Sequence, residues 1–285
     1  MEKIGTFTDF LRCNTAAFDA VFFDIDGTLT KGKAALPGAE RLFEYLHDIQ
    51  MPYVLVTNDA TTPPEKKAYY LQKSGINVDP SRIISAGKAL KYWIREHNCT
   101  GMNFFQYGTL DPEKVAAADI TVITDPDKAF LCQGVLGGGY GDWQSIEAAF
   151  NLLLSHPEYP FVVANPDCIY PSFRVPGFIG FGPGAVANFI CQQLQKLGID
   201  KKPFFLGKPY DPIYRCALTF LSENFPERSF FVNRIIMVGD SLDSDIAGAC
   251  ANGLQSALVL SGITDIKQVD GIDKKQHPDF IFSGV

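Results

Sequence analysis

Four short apolar segments of this 285-residue chain each end on side chains that can handle phosphate. A short continuous apolar run bounded by turn residues predicts a strand that is buried on both faces of a parallel sheet. Because ligands of open α/β sheets bind beyond the carboxyl ends of such strands, we expect the four sets of side chains to form one site. The segments and the residues after them are 20–23 with Asp24 and Asp26, 53–56 with Thr57, Asn58 and Asp59, 203–206 with Lys208, and 235–238 with Asp240, Asp243 and Asp245.

Asp24 and Asp26 have the spacing of two carboxylates that could share a phosphoryl-transfer reaction. Two acids at a strand end can reach the same point if the strand ends in a turn, and Gly27 permits that turn. One carboxylate can attack phosphorus and form an aspartyl-phosphate. The other can donate a proton to the leaving oxygen and later accept one from water. Uncatalysed hydrolysis of phosphate monoesters is among the slowest reactions known, so a large lowering of the barrier is required.

A cation is needed between an attacking carboxylate and a dianionic phosphate, since the two repel each other. Asp240, at the end of a neighbouring strand, would complete with Asp24 an oxygen-only site that suits Mg²⁺. Lys208 would neutralise further charge. The hydroxyl of Thr57 and the backbone N–H groups that follow it can bind the phosphoryl oxygens. The pattern therefore predicts Mg²⁺ as the cofactor.

The composition is that of an ordinary folded protein and disfavours several partners. Hydrophobic residues make up 46% and charged residues 20% of the chain. The net charge of −7 argues against a nucleic-acid polymer, which is bound through an excess of lysine and arginine. The N-terminal residues contain no signal-peptide core and no apolar stretch is long enough to span a bilayer, so no membrane partner is expected.

The seven cysteines are dispersed along the chain. None forms a C-x-x-C pair or lies near a histidine at ligand spacing, so neither a zinc site nor a disulfide framework is indicated. Reduced thiols are typical of cytosolic proteins, and the sequence predicts a cytoplasmic location.

Helix and strand patterns alternate along the first part of the chain. Residues 39–50 carry apolar side chains at helical spacing, and a second helix is predicted between Pro63 and Gly75. This alternation predicts an α/β fold with a doubly wound, Rossmann-like parallel sheet.

The middle of the chain contains none of the four site-bearing segments. We therefore predict a core formed by residues 1–85 and 181–285, with residues 86–180 as an inserted α/β domain. A helix over residues 185–197 is expected to return the chain to the first sheet.

These motifs together resemble the four motifs of the haloacid dehalogenase (HAD) superfamily, in order and across essentially the whole chain. The inserted region is similar to that of the NagD-like p-nitrophenylphosphatase subfamily (subclass IIA). The resemblance implies a Mg²⁺-dependent phosphatase that acts on small phosphorylated metabolites, with the insertion as a cap domain. It is carried by Asp24-Ile25-Asp26-Gly27-Thr28-Leu29, Thr57-Asn58-Asp59, Gly207-Lys208-Pro209, Gly239-Asp240-Ser241-Leu242-Asp243-Ser244-Asp245-Ile246, and, for the subfamily, Ala164-Asn165-Pro166-Asp167 and Pro183-Gly184-Ala185.

The resemblance also implies roles for single residues. Asp24 would be the nucleophile and Asp26 the acid/base, which in this family commonly reaches the metal through its backbone carbonyl. Asp240 would be a metal ligand. Asp245 would order a metal-bound water or Lys208, with Asp243 as a further helper.

Two positions bear on substrate binding. Relatives usually have Asn where this chain has Asp59, which puts an acid beside the phosphate pocket unless its side chain points away. Near Asp167 the family places a cap residue that touches substrate, and Tyr170 lies at about that position. The resemblance further allows a homodimer, since a cap surface often serves relatives as a dimer contact.

Other functions would use a similar set of residues. A phosphotransferase would pass the phosphoryl group to another alcohol. Receiver domains of signalling proteins also accept phosphate on an aspartate, but they are much shorter and have no second carboxylate placed like Asp26. A halide-releasing enzyme of the same superfamily would require neither Mg²⁺ nor an acid at Asp26.

Overall fold

The computed structural model of the protein describes residues 5–139, 141–171, 178–269, 271–273 and 277–285. The chain divides into two compact units. The first comprises Met1–Thr57, Pro64–Ile84 and Lys208–Val285, and the second comprises Asn58–Pro63 and Ser85–Gly207.

The described helices and strands alternate along the chain. The α-helices are α1 (Phe7–Asn14), α2 (Ala39–Asp48), α3 (Pro64–Lys73), α4 (Ala89–Glu96), α5 (Pro112–Ala116), α6 (Trp143–Ser155), α7 (Pro183–Lys196), α8 (Asp211–Asn224), α9 (Ala247–Ala251) and α10 (Ile266–Val269). The strands are β1 (Ala20–Phe23), β2 (Thr30–Lys31), β3 (Ala34–Ala35), β4 (Tyr53–Thr57), β5 (Ile83–Ser85), β6 (Asn103–Tyr107), β7 (Thr121–Ile123), β8 (Gly134–Gly137), β9 (Phe161–Val163), β10 (Ile169–Pro171), β11 (Ile179–Phe181), β12 (Phe204–Phe205), β13 (Ile235–Gly239), β14 (Gln255–Val259) and β15 (Phe280–Phe282).

The first unit is built on a six-stranded sheet in the order β15-β14-β13-β1-β4-β5. Strand β1 pairs in parallel with β13 on one side and with β4 on the other. Every residue of β1, β4 and β13 is buried. Continuous apolar strands of this kind are covered on both faces, as parallel sheets require. The predicted α/β fold with a doubly wound parallel sheet is confirmed.

Helix α2 shows how the helices cover this sheet. Its residues Leu42, Phe43 and Leu46 are buried and share one apolar cluster with Phe23 and Leu55 of the sheet. Their spacing places all three on one face of the helix. Burial of each such side chain contributes about 1.5–3 kcal/mol, so this face holds the helix against the strands that carry the site. Helix α8 packs against β4 as well.

The second unit has its own five-stranded parallel sheet, in the order β12-β9-β8-β6-β7. Helices α6 and α7 pack against each other. The apolar cluster of this unit includes Ala149 and Leu153 of α6, Ile190 and Leu194 of α7, and Phe161 of β9. A short antiparallel pair, β10 with β11, lies outside this sheet.

Two expectations about the return of the chain to the first sheet are wrong. Helix α7 was expected in the core, but its apolar face is buried against α6 within the second unit. The segment 203–206 was expected beside the other site-bearing strands, but β12 pairs with β9 of the second sheet. Phe204 is 46% exposed and packs against the rings of Trp93 and His97, so it is not buried on both faces. The second unit therefore ends at Gly207 rather than at residue 180.

A short helix precedes β8 in the second unit. Residues Pro126–Leu131 form a 3₁₀ helix that is capped by the Asp125 side chain, and β8 begins only at Gly134. Within the described ranges, no helix combines the length and the apolarity needed to cross a membrane.

Candidate active site

Lys208 lies at the centre of a buried cluster of charges in the first unit. Its Nζ donates to Oδ1 of Asp24 at 2.6 Å and to Oδ1 of Asp245 at 2.7 Å. The side chain of Lys208 is 2% exposed, that of Asp245 is 1% exposed and that of Asp24 is 13% exposed. Burial alone would lower the pKa of Lys208, yet the two carboxylates raise it overall, so the ammonium stays charged.

Three carboxylates gather around this lysine. Oxygen atoms of Asp24, Asp240 and Asp245 all lie within 4.8 Å of one another. Burial, opposed in part by Lys208, raises the pKa of Asp24 well above its usual range, and the charges on Asp245 and Asp240 add to the rise. Burial, and then the charge on Asp245, raises the pKa of Asp240 to about 7. The cluster thus holds more negative charge than one lysine neutralises.

The chain keeps Asp240 in place from several sides. Its Oδ2 accepts a hydrogen bond from the backbone N–H of Ile263 at 2.7 Å, and its Oδ1 accepts from the Thr28 hydroxyl at 3.4 Å. A Cβ atom at Gly27 would lie 2.3 Å from Asp240 Oδ2, and one at Gly262 would lie 1.8 Å from it. Gly27 also has a φ of 90°, a conformation that glycine adopts without strain. Both glycines are therefore needed for the carboxylate to occupy this position.

Asp245 is positioned by the turn that follows β13. Residues Leu242–Ile246 form a π-helical turn before α9, and the Ser241 hydroxyl caps it by accepting from the N–H of Ser244. Oδ2 of Asp245 accepts from the backbone N–H of Ser241 at 3.1 Å, while Oδ1 faces Lys208. Asp243 and Asp245 point to different sides of this turn, so Asp245 is buried whereas Asp243 is exposed.

The donor set fits a hard divalent cation. All three groups are carboxylates, which Mg²⁺ prefers, and a cation would stabilise the ionised forms of Asp24 and Asp240, whose pKa values are raised by burial and then by the neighbouring carboxylates. Asp24 and Asp240 were predicted as metal ligands by side chain, and both belong to the cluster. The third carboxylate in it is Asp245, while the side chain of Asp26 is exposed and stands outside it.

Asp26 follows Asp24 by two positions in the turn after β1. The backbone of Asp26 forms an isolated bridge with Thr30, and the N–H of Gly27 donates to the carbonyl of Thr30 at 2.7 Å. This tight turn leaves the Asp26 carboxyl open to solvent while Asp24 faces Lys208. An exposed acid can exchange protons with water more readily than a buried one.

Thr57 is the last residue of β4 and is 3% exposed. The two residues after it in the chain belong to the second unit. There the Nδ2 of Asn58 donates to Oδ1 of Asp167 at 2.9 Å. Oδ1 of Asp59 accepts from the N–H and the hydroxyl of Thr61, at 2.8 and 2.7 Å, and from the N–H of Thr62 at 3.3 Å. The Asp59 carboxylate therefore caps the loop that it begins.

Tyr170 lies in β10 of the second unit, opposite Gly180 of β11. A Cβ atom at Gly180 would lie 2.5 Å from Tyr170 Cζ, so the ring lies across this glycine. Tyr170 is partly buried, and its proposed contact with substrate stays a prediction.

Sequence reasoning missed the segment after β14. Ser261 donates from its hydroxyl to the carbonyl of Gly27 at 2.8 Å, and Gly262 and Ile263 enclose Asp240. A signal was present, because residues 257–260 form a further apolar run that ends on Ser261 and Gly262. This run carries no titratable side chain at its end, which is why it was not grouped with the other four.

Comparison with known proteins agrees with this fold. Residues 21–118 match the family model of haloacid dehalogenase-like hydrolases, and residues 205–285 match a model described as HAD-hydrolase-like. Dihydroxyacetone phosphatase of Corynebacterium glutamicum is 26% identical over 86% of this chain and 82% of its own. Ribonucleotide monophosphatase NagD of Escherichia coli K12 is 27% identical over 93% of this chain and 96% of its own.

Solved structures show the same fold. A hypothetical protein of Pyrococcus horikoshii OT3 superposes with a TM-score of 0.76 at 27% identity, covering 93% of this chain and 96% of its own. Glycerol phosphate phosphatase of Mycobacterium tuberculosis, in complex with magnesium, also has a TM-score of 0.76, at 22% identity, covering 93% of this chain and 75% of its own. The chain therefore belongs to the haloacid dehalogenase-like hydrolases, and within them to the NagD-like phosphatases.

Proposed function

We propose that this phosphatase hydrolyses small phosphorylated metabolites with the help of Mg²⁺, through an aspartyl-phosphate formed on Asp24. The observation that carries the proposal is the buried cluster in which Lys208 binds Asp24 and Asp245 while Asp240 lies beside them. Phosphoryl transfer depends mainly on positioning and on electrostatic stabilisation, and this cluster offers both.

Asp24 is the proposed nucleophile. Its carboxylate oxygen attacks phosphorus, and the bond from phosphorus to the leaving oxygen breaks as the aspartyl-phosphate forms. The 2.6 Å contact with Lys208 holds the carboxylate in one orientation and favours its ionised form. The same ammonium offers positive charge where negative charge spreads over the phosphoryl oxygens.

Asp26 is the proposed acid/base. It donates a proton to the leaving oxygen and, in the second half of the reaction, accepts a proton from the water that attacks the aspartyl-phosphate. Its exposed position after the turn supports this role, since the proton can return to solvent between the two steps.

Asp24, Asp240 and Asp245 would hold the metal, directly or through ordered water. When bound, Mg²⁺ supplies positive charge that screens the nucleophile from the phosphate dianion. Asp240 is the best-defined of these positions, because two hydrogen bonds and two glycines fix its carboxylate.

Thr57 and the backbone N–H groups of Asn58 and Asp59 are the proposed binders of the phosphoryl oxygens. The capping contacts of Asp59 support this, because they engage its carboxylate with the N–H and the hydroxyl of Thr61, within its own loop. Tyr170 is proposed as a contact for the rest of the substrate, with the second unit acting as a cap domain.

The names of the relatives support the proposed substrate class. They are a dihydroxyacetone phosphatase, an acid sugar phosphatase and a ribonucleotide monophosphatase, names that refer to small phosphorylated compounds. We therefore propose a substrate of that size rather than a phosphorylated polymer. We also propose a cytoplasmic location, because the seven cysteines are dispersed along the chain and form no C-x-x-C pair, a usage typical of cytosolic proteins. The homodimer stays a prediction that sedimentation analysis would decide.

Hydrolysis of p-nitrophenyl phosphate tests the proposal. The natural chain is assayed with Mg²⁺ and with EDTA, and the Asp24→Asn variant is assayed with Mg²⁺. We expect turnover with Mg²⁺, none with EDTA, and none for the variant. Asp48→Asn, an exposed aspartate of α2, is the control and should be fully active. Normal turnover by Asp24→Asn would exclude the covalent route. Release of p-nitrophenol that requires an added alcohol, with the phosphoryl group recovered as a phosphate ester of that alcohol, would favour the phosphotransferase.

A further inference from the structure

The amide of Asn58 is bound to the tetrapeptide 164–167 of the second unit. Nδ2 of Asn58 donates to Oδ1 of Asp167 at 2.9 Å, and Asn58 is 5% exposed. An ionised carboxylate can only accept hydrogen bonds, so this contact fixes which end of the Asn58 amide faces Asp167. The side chain of Asn58 is therefore held by Asp167.

The backbone of Asp167 is held in its turn. Its N–H donates to Oδ1 of Asn165 at 2.8 Å, and its carbonyl accepts from the N–H of Gly184 at 3.0 Å at the start of α7. A Cβ atom at Gly182 would lie 2.0 Å from the Asp167 carbonyl oxygen, and one at Gly184 would lie 1.9 Å from that of Pro166. The carboxylate of Asp167 is thus presented to Asn58 by a turn packed closely against the first turn of α7.

Gly207 closes the other side of Asn58. A Cβ atom at Gly207 would lie 2.5 Å from Asn58 Oδ1 and 2.8 Å from Pro166 Cδ. Any side chain there would displace the amide. The close approach therefore explains the glycine at position 207, where the backbone φ is not positive and would itself allow other residues. Asn58 is therefore enclosed between Asp167 and the glycine that directly precedes Lys208 in the chain.

We propose that Asp167 is a positioning residue for phosphate binding. By holding the Asn58 side chain, it fixes the backbone of the loop that starts at Thr57, so that the N–H groups of this loop keep one orientation toward the phosphoryl oxygens. Preorganised donors cost no rearrangement when the anion binds. The inference rests on the proposed function. It gives Asn58 two roles: its side chain holds the loop in place, and its backbone N–H binds phosphate.

A hydrogen bond to a charged group is worth about 1.5–3 kcal/mol, which corresponds to roughly a tenfold to hundredfold change in an equilibrium. We therefore expect Asp167→Ala to raise KM for p-nitrophenyl phosphate and the inhibition constant of inorganic phosphate by roughly tenfold or more, with a smaller change in kcat. Asp167→Asn should recover most of this loss, because its amide oxygen can still accept from Nδ2 of Asn58.

A double-mutant cycle separates the pair from its surroundings. Asn58→Leu removes the donor, and we expect it to raise KM as Asp167→Ala does. The double variant Asn58→Leu/Asp167→Ala should be little worse than either single one, since both remove the same contact. Fully additive effects on KM would overturn the proposal.

The matched control is Asp142→Ala. Asp142 is another carboxylate of the second unit, whose two oxygens accept from the N–H and the hydroxyl of Ser145 at 2.8 and 2.9 Å. We expect this variant to lower the thermal midpoint and to leave KM unchanged. If Asp167→Ala behaves in the same way, Asp167 has a purely structural role and the inference is wrong.

Calorimetric titration with inorganic phosphate distinguishes this inference from the proposed function. Weaker phosphate binding by Asp167→Ala than by the natural chain supports the inference even if no phosphomonoester is turned over, whereas equal binding overturns it. Turnover by the natural chain, measured separately, decides the proposed function.

Discussion

Lys208 and Asp24 are 184 residues apart in the chain, yet the ammonium nitrogen of one lies 2.6 Å from a carboxylate oxygen of the other. Asp24 follows β1, and Lys208 follows the inserted unit directly. The same ammonium also binds Asp245, so one buried cation holds two carboxylates that would otherwise repel each other. Stability and the proposed chemistry depend on the same three side chains.

Replacing Lys208 by methionine should therefore damage stability as well as activity. Removing one partner of a buried ion pair leaves the other charge unpaired and typically costs about 3–5 kcal/mol. We expect a loss of that size in the free energy of unfolding, measured with urea, and no turnover of p-nitrophenyl phosphate. Lys128→Met is the control, because Lys128 pairs with Asp125 on the surface and its side chain is 62% exposed. Equal loss of stability in the two variants would contradict the central position of Lys208.

The pKa values of Asp24 and Asp240 predict how stability varies with pH in the metal-free protein. Both are raised in the folded state, that of Asp240 to about 7, so between pH 4 and 7 these two groups bind more protons in the native state than in the unfolded chain. Stability should therefore fall as the pH rises through this range. Thermal unfolding in EDTA, recorded at pH 5 and at pH 7.5, measures the change.

Addition of Mg²⁺ should reverse this trend. Carboxylate ligands must lose their protons to bind a metal, so the affinity for Mg²⁺ should increase with pH until Asp240 is ionised, at about pH 7. We expect Mg²⁺ to raise the thermal midpoint strongly at pH 7.5 and weakly at pH 5. A metal-induced shift of the same size at both values would show that the cation binds elsewhere.

Asp26→Asn should distinguish between leaving groups. A phenolate such as p-nitrophenolate leaves without much protonation, whereas an alkoxide requires an acid. We expect kcat to fall by roughly 10²–10⁴-fold for an alkyl phosphate, the usual contribution of general acid catalysis, and by much less for p-nitrophenyl phosphate. Losses of equal size on the two substrates would remove Asp26 from the acid role.

Gly262→Ala tests the position of Asp240 without changing any charge. The added Cβ would lie 1.8 Å from Asp240 Oδ2, and it would displace the carboxylate from the N–H of Ile263. We expect weaker Mg²⁺ binding and lower activity, with Mg²⁺ titration of turnover as the measurement. Gly284→Ala, where no atom lies within 4 Å of the added carbon, should behave like the natural chain. Unchanged Mg²⁺ dependence in Gly262→Ala would argue against Asp240 as a ligand.

Strand positions within the first sheet could be predicted because burial leaves a direct trace in the sequence. The apolar runs that begin at Ala20, Tyr53 and Ile235 correspond to strands whose residues are all buried. The run before Lys208 looks the same in the sequence, but its strand belongs to the other sheet. Which sheet a short apolar strand joins is decided by pairing partners far away in the chain, and local pattern contains no information about them.

The candidate site could also be predicted only in part from the sequence. Residue types at strand ends indicated Asp24, Lys208 and Asp240, which the structure brings into one cluster together with Asp245. The resemblance placed Asp245 ahead of Asp243, and the burial of Asp245 agrees with that order. Residue type alone does not separate the two, because the π-helical turn between β13 and α9 sets which of them is buried. Likewise, the contact between Asn58 and Asp167 could not be predicted, because the two residues are 109 positions apart in the chain.

The parallel pairing of β1 with β13 has a consequence for how the protein reaches its native state. One neighbour of β1 in the sheet, β4, follows soon in the chain, but the other is reached only after the whole inserted unit. Pairing across so long a loop carries a large entropic cost before any contact repays it, so this step should be slow. Refolding kinetics should consequently show the insertion acquiring protection from hydrogen exchange before the centre of the first sheet, and enzymatic competence should appear last.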